Sequence, residues 1–345
     1  MTVQLPANAA PASRVRERSP GELVRGKANE IGLLVVVAVL FFVLSSTAQN
    51  FGSVANVTNI LRDAAFTGIV AWGMTLVIIS GEIDISVGSN AAFSSILLAK
   101  LTTAGWALPL AIVATLVVGM VFGLAAGMLR AYLGIPTFVS TLALYIALRG
   151  LANVLSQAVP IPIESQSFQQ LGIGSVFGIP TPAIIMFVLF VVFSFVARRT
   201  VFGRSVFAVG GNADAARLSG TNVAGVRIAL LGITGCLAAL TGILIASRLG
   251  SGNSGAASGL EFEAIAAVVV GGTSLAGGRG NMLGTLLGVL FIAELVNGLV
   301  LLGVSPFMQD VVRGAVVLGA VVVNALIVRR QLNRSARRGA AASAP

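Results

Sequence analysis

The sequence predicts an all-α, polytopic membrane protein with about ten transmembrane helices, one of them short or broken. Three observations lead there. Hydrophobic residues make up 56% of the 345 and charged residues only 10%, against ~25% charged in ordinary soluble domains. Mean hydropathy is +0.97. The apolar residues also fall in runs of spanning length, each span needing ~20 of them. A soluble fold of this size must cover its surface with polar groups, and this composition does not supply them. An ordinary cytosolic enzyme is therefore excluded.

Residues 1–30 are polar and basic, with Arg14, Arg16, Arg18, Arg25 and Lys27 among frequent Pro, Ala and Ser. They read as a disordered cytoplasmic tail. The apolar run from Ile31 to about Thr47 follows a tail too long for a signal peptide and precedes further spans, so it is the first span. The others fall at roughly 57–80, 87–104, 107–129, 136–156, 182–199, 225–247, 262–273, 282–302 and 309–328. Residues 31–328 thus form the transmembrane domain, and 329–345 a second basic cytoplasmic tail. Gly119, Gly123 and Gly127 repeat every fourth residue, as do Gly284 and Gly288. That spacing lets helix backbones approach closely in lipid.

Orientation follows from the basic residues. With the N-terminus inside, sixteen of the 22 lysines and arginines fall on the inner side. Arg62, Lys100 and Arg248 fall outside, and Arg149, Arg227 and Arg313 lie within or at the edges of spans. Both tails are then cytoplasmic. The same asymmetry explains the net charge of +10 by membrane topology rather than by nucleic acid.

Two loops stand out. Residues 157–181 form a long outer loop with a single acid, Glu164. Residues 200–224 form the largest inner loop and carry a helix signature: Asn212 as N-cap, Asp214 in the first turn, Arg217 near the end and Gly220 just past it. A polar helix of about two turns is expected there, with Gly220 at φ > 0.

Span eight is anomalous. Glu261 and Glu263 precede only nine largely apolar residues, Ala264 to Gly272, before Thr273, Ser274 and LAGGRGN. Nine helical residues rise ~14 Å, about half of the ~30 Å hydrocarbon core. The helix is either short, entering from a recessed cavity, or broken. Irregular backbone at that depth is tolerated where it is buried in protein or lines a water-filled path, so Gly271, Gly272, Thr273 and Ser274 either border a pathway or serve tight packing.

The chemistry is limited. There is no histidine, which removes His-based catalysis and His metal ligands; no metal site and no catalytic residue are assigned. The one cysteine, Cys236, sits in an apolar run as a small hydrophobe. Gly21-Glu-Leu-Val-Arg-Gly26-Lys27 matches a P-loop up to Ala28, which replaces the Mg²⁺-binding hydroxyl, and no strand precedes it. Gly250-Ser-Gly252-Asn-Ser-Gly255 matches a dinucleotide fingerprint in a place where no βαβ unit fits. The chain has no ATP site of its own. The turn GEIDISVGS, residues 81–89, has two readings: Asp84 or Ser86 caps the next span, or the turn is a gate element near the inner mouth.

Three segments carry a resemblance. GEIDISVGS (81–89), GRSVFAVGGNADAARLSGTNV (203–223) and EFEAIAAVVVGGTSLAGGRGNMLGT (261–285) resemble, in order, the motifs of sugar-family permeases of ATP-binding-cassette importers, typified by ribose permease. The likeness spans roughly residues 31–328. The chain departs from the GGIDLSVGS pattern at Glu82, and its N-terminal tail is longer.

The resemblance implies a permease that imports a monosaccharide or similar small polyol without being an enzyme. It implies a second permease subunit, two cytoplasmic ATPase domains that bind ATP and Mg, and an extracytoplasmic sugar-binding protein that docks near Glu164 and Arg248. Asp214-Ala215-Ala216-x-x-x-Gly220 resembles the EAA-x-x-x-G loop that docks in the ATPase, with Gly211, Asn212 and Arg217 beside it. The alternative is an ion-coupled secondary transporter, a class that places ionisable groups near mid-membrane. Its candidates are Glu294 and Arg149, with Asp310 and Arg313, which equally suit interhelical contacts.

Overall fold

The computed structural model describes residues 20–319, 321 and 322, with side chains from residue 30 onward. Helix α1 (Pro20–Thr47) leads into α2 (Val54–Ile79), α3 (Val87–Thr103), α4 (Leu108–Leu133) and α5 (Thr137–Ser156). Strand β1 (Ile161–Pro162), α6 (Gln166–Ile173), β2 (Ser175–Val176) and β3 (Ile179–Pro180) follow, then α7 (Thr181–Arg199), α8 (Val201–Gly211), α9 (Ala213–Leu218) and α10 (Val223–Leu249). The chain closes with β4 (Ser251–Gly252), α11 (Leu260–Val270), α12 (Met282–Leu301) and α13 (306–319).

Seven of these, α1, α2, α4, α5, α7, α10 and α12, are long and apolar enough to cross a membrane. Helices α3 and α11 have 17 and 11 residues, and the expected span 309–328 lies partly outside the described residues. Length and composition therefore give a polytopic helical membrane protein but not a count of ten. Helix α1 begins at Pro20, inside the segment expected to be tail; both ends of the chain otherwise lie outside the described residues.

The bundle is layered. Helices α2 and α10 are buried along most of their length, and α3 packs between α10 and α5. Around these lie α1, α4, α5, α7 and α12, whose outward Val, Leu and Phe side chains are exposed. Such an apolar exterior suits lipid rather than water. Trp72 on α2 is fully buried and donates its indole N–H to the Met186 carbonyl on α7, at 3.1 Å.

The glycine repeats mark the closest approach. A Cβ at Gly123 would run into the Leu231 carbonyl of α10, and one at Gly119 would sit 2.9 Å from the Gly235 carbonyl. Asn90 of α3 reaches that crossing and donates its amide to the carbonyls of Gly119 and Gly235, at 3.1 and 3.2 Å. Gly284 and Gly288 on α12 do the same for α11, meeting the carbonyls of Gly271 and Ala267.

Two loops hold more structure than expected. In 157–181, Ser165 caps α6, which buries Phe168 completely under the bundle end. In 200–224, Thr200 accepts from the Gly203 amide at 3.0 Å and starts α8, so the short polar helix is preceded by a second one.

Candidate functional site

One face of the bundle gathers the ends of α2, α4 and α7, the starts of α5, α10 and α12, and α8 and α9. It carries Arg130, Arg198, Arg199, Arg204, Arg217, Arg227 and Arg279, and is called the basic face below.

On it, the 200–224 loop folds as its sequence suggests. Asn212 accepts from the amides of Asp214 and Ala215, at 3.0 and 2.9 Å, and starts α9. Gly220 ends it at φ +85, where the Thr221 amide donates to the Ala216 carbonyl at 2.9 Å. Asn222 then caps α10 through the Gly225 amide at 2.8 Å. The faces of α9 differ from expectation at one residue. Ala216 is 4% exposed and packs into the chain's own core, so it anchors the helix rather than meeting a partner. The outward side presents Ala215, Asp214, Arg217 and Leu218, the last 91% exposed.

Helix α9 follows a junction of three backbones. The Gly278 amide donates to the Ile79 carbonyl at 2.8 Å. A Cβ at Gly210 would run into that same carbonyl and sit 2.7 Å from the Gly278 nitrogen; one at Gly277 would sit 2.8 Å from the Gly210 carbonyl. The end of α2, the end of α8 and the loop after α11 therefore meet main chain to main chain. Gly211 lies at the same point, 3.0 Å from where a Cβ at Gly278 would stand.

The 81–89 turn adjoins this junction. Asp84 is buried, and its Oδ1 accepts from the Ser86 amide at 2.9 Å and the Ser86 hydroxyl at 2.6 Å. Burial pushes its carboxyl above the ordinary range, and the Ser86 donors pull it back. Ser86 occupies the N-cap position of α3 but makes no side-chain capping bond; Asp84 orders the turn instead. The turn is held to α5 by Thr141, which accepts from the Ile85 amide at 3.1 Å.

Glu82, the departure from the sugar-permease pattern, is 6% exposed. Its Oε1 lies 2.9 Å from Arg130 Nε on α4 and 2.7 Å from Arg227 Nε on α10. Its Oε2 accepts from the Thr137 hydroxyl on α5 at 2.7 Å. One carboxylate thus joins four elements. The sequence reading missed Arg130, Thr137 and Arg227 as a set; the only signal was two arginines at span ends with an acid in a nearby turn.

The short helix α11 begins at the middle of the bundle. After α10, residues 251–259 run non-helically down α3: Ser95 donates to the Asn253 carbonyl at 3.1 Å, and lower down Glu261 abuts Gly88. Arg149 on α5 pins this chain, donating to the carbonyls of Ser254 and Ala256 at 2.6 and 3.0 Å. Glu263 accepts from Thr67, halfway along α2, at 3.0 Å. Eleven residues at ~1.5 Å each then bring the chain to the basic face. There Gly271 lies against Gly284, and Gly272 turns at φ +88. Thr273 is fully buried, and the Ser274 amide donates to the Arg279 carbonyl at 3.0 Å.

Gly271–Ser274 thus lie at the basic-face end of the bundle, whereas Asp84 and Ser86 lead into the first turn of α3, where Gly88 meets Glu261. A cavity of about 800 Å³ lies at the other end of α11, bordered by Glu261, Phe262, Glu263 and Arg313, and neither Gly271–Ser274 nor Asp84 and Ser86 are in its wall. Of the ionisable groups weighed for ion coupling, Arg149, Asp310 and Arg313 are engaged locally, whereas the buried Glu294 Oε2 has no hydrogen-bond partner among the described residues. Arg149 holds the loop, and Arg313 Nε lies 3.3 Å from Glu263 while its Nη1 donates to Asp310 at 3.0 Å. Glu294 is buried on α12.

The opposite face joins the stretches that carry Glu164 and Arg248, the residues near which a soluble partner is expected to dock. Ile161 and Pro162 pair antiparallel with Gly252 and Ser251, and the Ile163 amide donates to the Gly250 carbonyl at 2.9 Å. Glu164 is exposed there. Arg248 is half-exposed, ion-paired to Asp63 and stacked 5.5 Å over the Phe66 ring.

A many-helix apolar bundle with a capped helix on one basic face and a half-helix at its centre defines a membrane-embedded permease. The chain belongs to the family described as branched-chain amino acid transport system / permease component, which matches residues 56–321. It is 52% identical over 314 residues to the probable ABC transporter permease protein YphD of Escherichia coli K12, covering 90% of this chain and 94% of that one. It is 42% identical over 294 residues to the ribose import permease protein RbsC of Bacillus subtilis, covering 85% and 91%. The xylose transport system permease protein XylH of Escherichia coli K12 is 34% identical over 353 residues, covering 83% and 88%. No solved structure matches. The chain is an ABC-type permease subunit and a multi-pass membrane protein, and the ion-coupled alternative is set aside.

Proposed function

We propose that the chain passes a monosaccharide or similar small polyol, delivered by an extracytoplasmic binding protein, through the membrane of an ATP-driven importer. Two permease copies would pair with two cytoplasmic ATPase domains, which hold ATP and Mg. The basic face is cytoplasmic, both tails lie on that side, and α3, α11 and α13 complete ten membrane-embedded segments. The observation that carries this is α9 itself: a capped helix outside the spans, with Leu218 projecting and Ala216 anchored, seated just after the three-backbone junction. A push on α9 passes through α8 to the end of α2 and to the loop beneath the half-helix. The relatives named for ribose and xylose import supply the substrate class.

The test separates docking from folding. Ala215→Trp and Leu218→Asp change the outward side, so both variants should insert and melt like the parent but lose ATPase in a pull-down. Unchanged ATPase recovery and transport in both would remove α9 from the coupling path.

A further inference from the structure

Residues 174–181 form a hairpin at the bundle end opposite the basic face. Ser175 and Val176 of β2 pair antiparallel with Pro180 and Ile179 of β3, and the Thr181 amide donates to the Gly174 carbonyl at 3.0 Å. Phe177 and Gly178 alone form the tip. We propose that this hairpin is a membrane anchor, with the Phe177 ring seated in the interfacial layer of the leaflet opposite the basic face. The anchor acts on the bilayer alone and is independent of cargo and ATPase.

The turn is built against the preference of its first residue. The two-residue loop that best suits twisted strands needs φ > 0 at both central positions, which favours Asn, Asp or Gly. Here Phe177 stands at φ +51 and Gly178 at +81. A bulky side chain at positive φ is uncommon and strained. Phe177 is also fully exposed, so it gains no packing within the chain in return. Val176 and Ile179, paired across the two strands and therefore on one face, are about half exposed. Strain and apolar exposure thus fall on the same few residues, and apolar surroundings from outside the chain would offset both.

Depth selects the occupant. Helix α7 has 19 residues, so it rises ~28 Å, close to the ~30 Å hydrocarbon thickness. Its last turn carries Arg198 and Arg199 on the basic face, which leaves Thr181 near the opposite edge of the hydrocarbon. The two strand residues beyond it, Ile179 and Pro180, add at most ~7 Å. The headgroup layer on each side is ~5–8 Å deep, since the whole bilayer measures ~40–45 Å. The length of α7 therefore holds the tip at headgroup level.

The charges point the same way. Between Glu164 and Arg198 the chain carries no charged residue. Beyond the hairpin, α7 continues along the bundle's exterior with Val188, Val191 and Val192 exposed. A tip made for a soluble protein would stand in water, apolar and strained, whenever that protein was away. The bilayer is always present, and exposed apolar groups beside a spanning helix find a permanent partner in it.

The test uses the full-length chain in vesicles of phosphatidylethanolamine and phosphatidylglycerol. Ser175→Cys, in a Cys236→Ser background, takes a fluorophore beside the tip. Phospholipid carrying a nitroxide near the headgroup should quench it severalfold more than phospholipid carrying the nitroxide near the acyl terminus. Asn and Gly accept positive φ more readily than Phe. Phe177→Asn and Phe177→Gly should therefore melt in detergent no lower than the parent, while losing most of that quenching. Absence of quenching by either lipid would put the tip in water, and equal or stronger quenching by the deep nitroxide would put it in the hydrocarbon. Undiminished quenching in both Phe177 variants would leave the ring without the role, and lower melting in both would mean that it packs within the chain. Each of these four results overturns the anchor.

Discussion

Glu82 shows what a single residue contributes. It sits in a turn where the related pattern carries glycine, and it holds Arg130, Arg227 and Thr137 from three helices. Breaking a buried pair by removing one partner costs about 3–5 kcal/mol; the partial exposure of Arg130 places Glu82→Gln near the lower end. Adding Arg227→Met should recover part of that loss, because the stranded guanidinium goes with it. Thermal unfolding in detergent of the two single variants and the double checks this, and strict additivity would refute it. No local signal revealed this cluster, because Arg227 lies far along the chain from Glu82. Asn212 and Gly220 were legible because a cap is built from neighbours: their positions, cap bonds and φ follow from the seven residues between them.

Elements were legible in proportion to how local their causes are. The long spans declare themselves by apolar length, and α11 by being too short for the bilayer. Helices α6 and α8 were missed because 8 and 11 residues between spans resemble loop; their signals were Ser165 before Phe168, and Thr200 three residues before Gly203. The glycine repeat announced a close crossing, but only the fold shows that its partner is α10. Gly123→Ala should separate α4 from α10 and cost about 1–3 kcal/mol, as overpacking does. Gly150→Ala on α5, where a Cβ meets nothing within 4 Å, should be neutral or stabilising, since alanine is favoured over glycine in helices by about 1 kcal/mol. Unfolding curves for the two variants would decide it; equal effects would mean that the α4–α10 crossing is looser than described.

For the whole molecule, the asymmetry of basic residues predicts the sidedness that the bundle makes physically sensible, with one face collecting most of the described arginines. Single cysteines at Gln166 and Ser219, both exposed and on opposite faces, should differ in a Cys236→Ser background: an impermeant thiol reagent applied to intact cells should label the first and spare the second. Reversed labelling would invert the proposed orientation. Which spans neighbour which was not legible, because the α2–α12, α2–α7 and α4–α10 pairings join segments far apart in sequence.

The meeting of Ile79, Gly210 and Gly278 has a consequence for how force travels. Side chains yield: they change rotamer and absorb small displacements before a neighbour feels them. Here no side chain lies between the three strands of main chain, and a hydrogen bond closes one of the gaps. On the proposed coupling path the joint between the 200–224 loop and the helix ends therefore has little slack, so a displacement at α8 smaller than one rotamer change is expected to be felt at the foot of the half-helix.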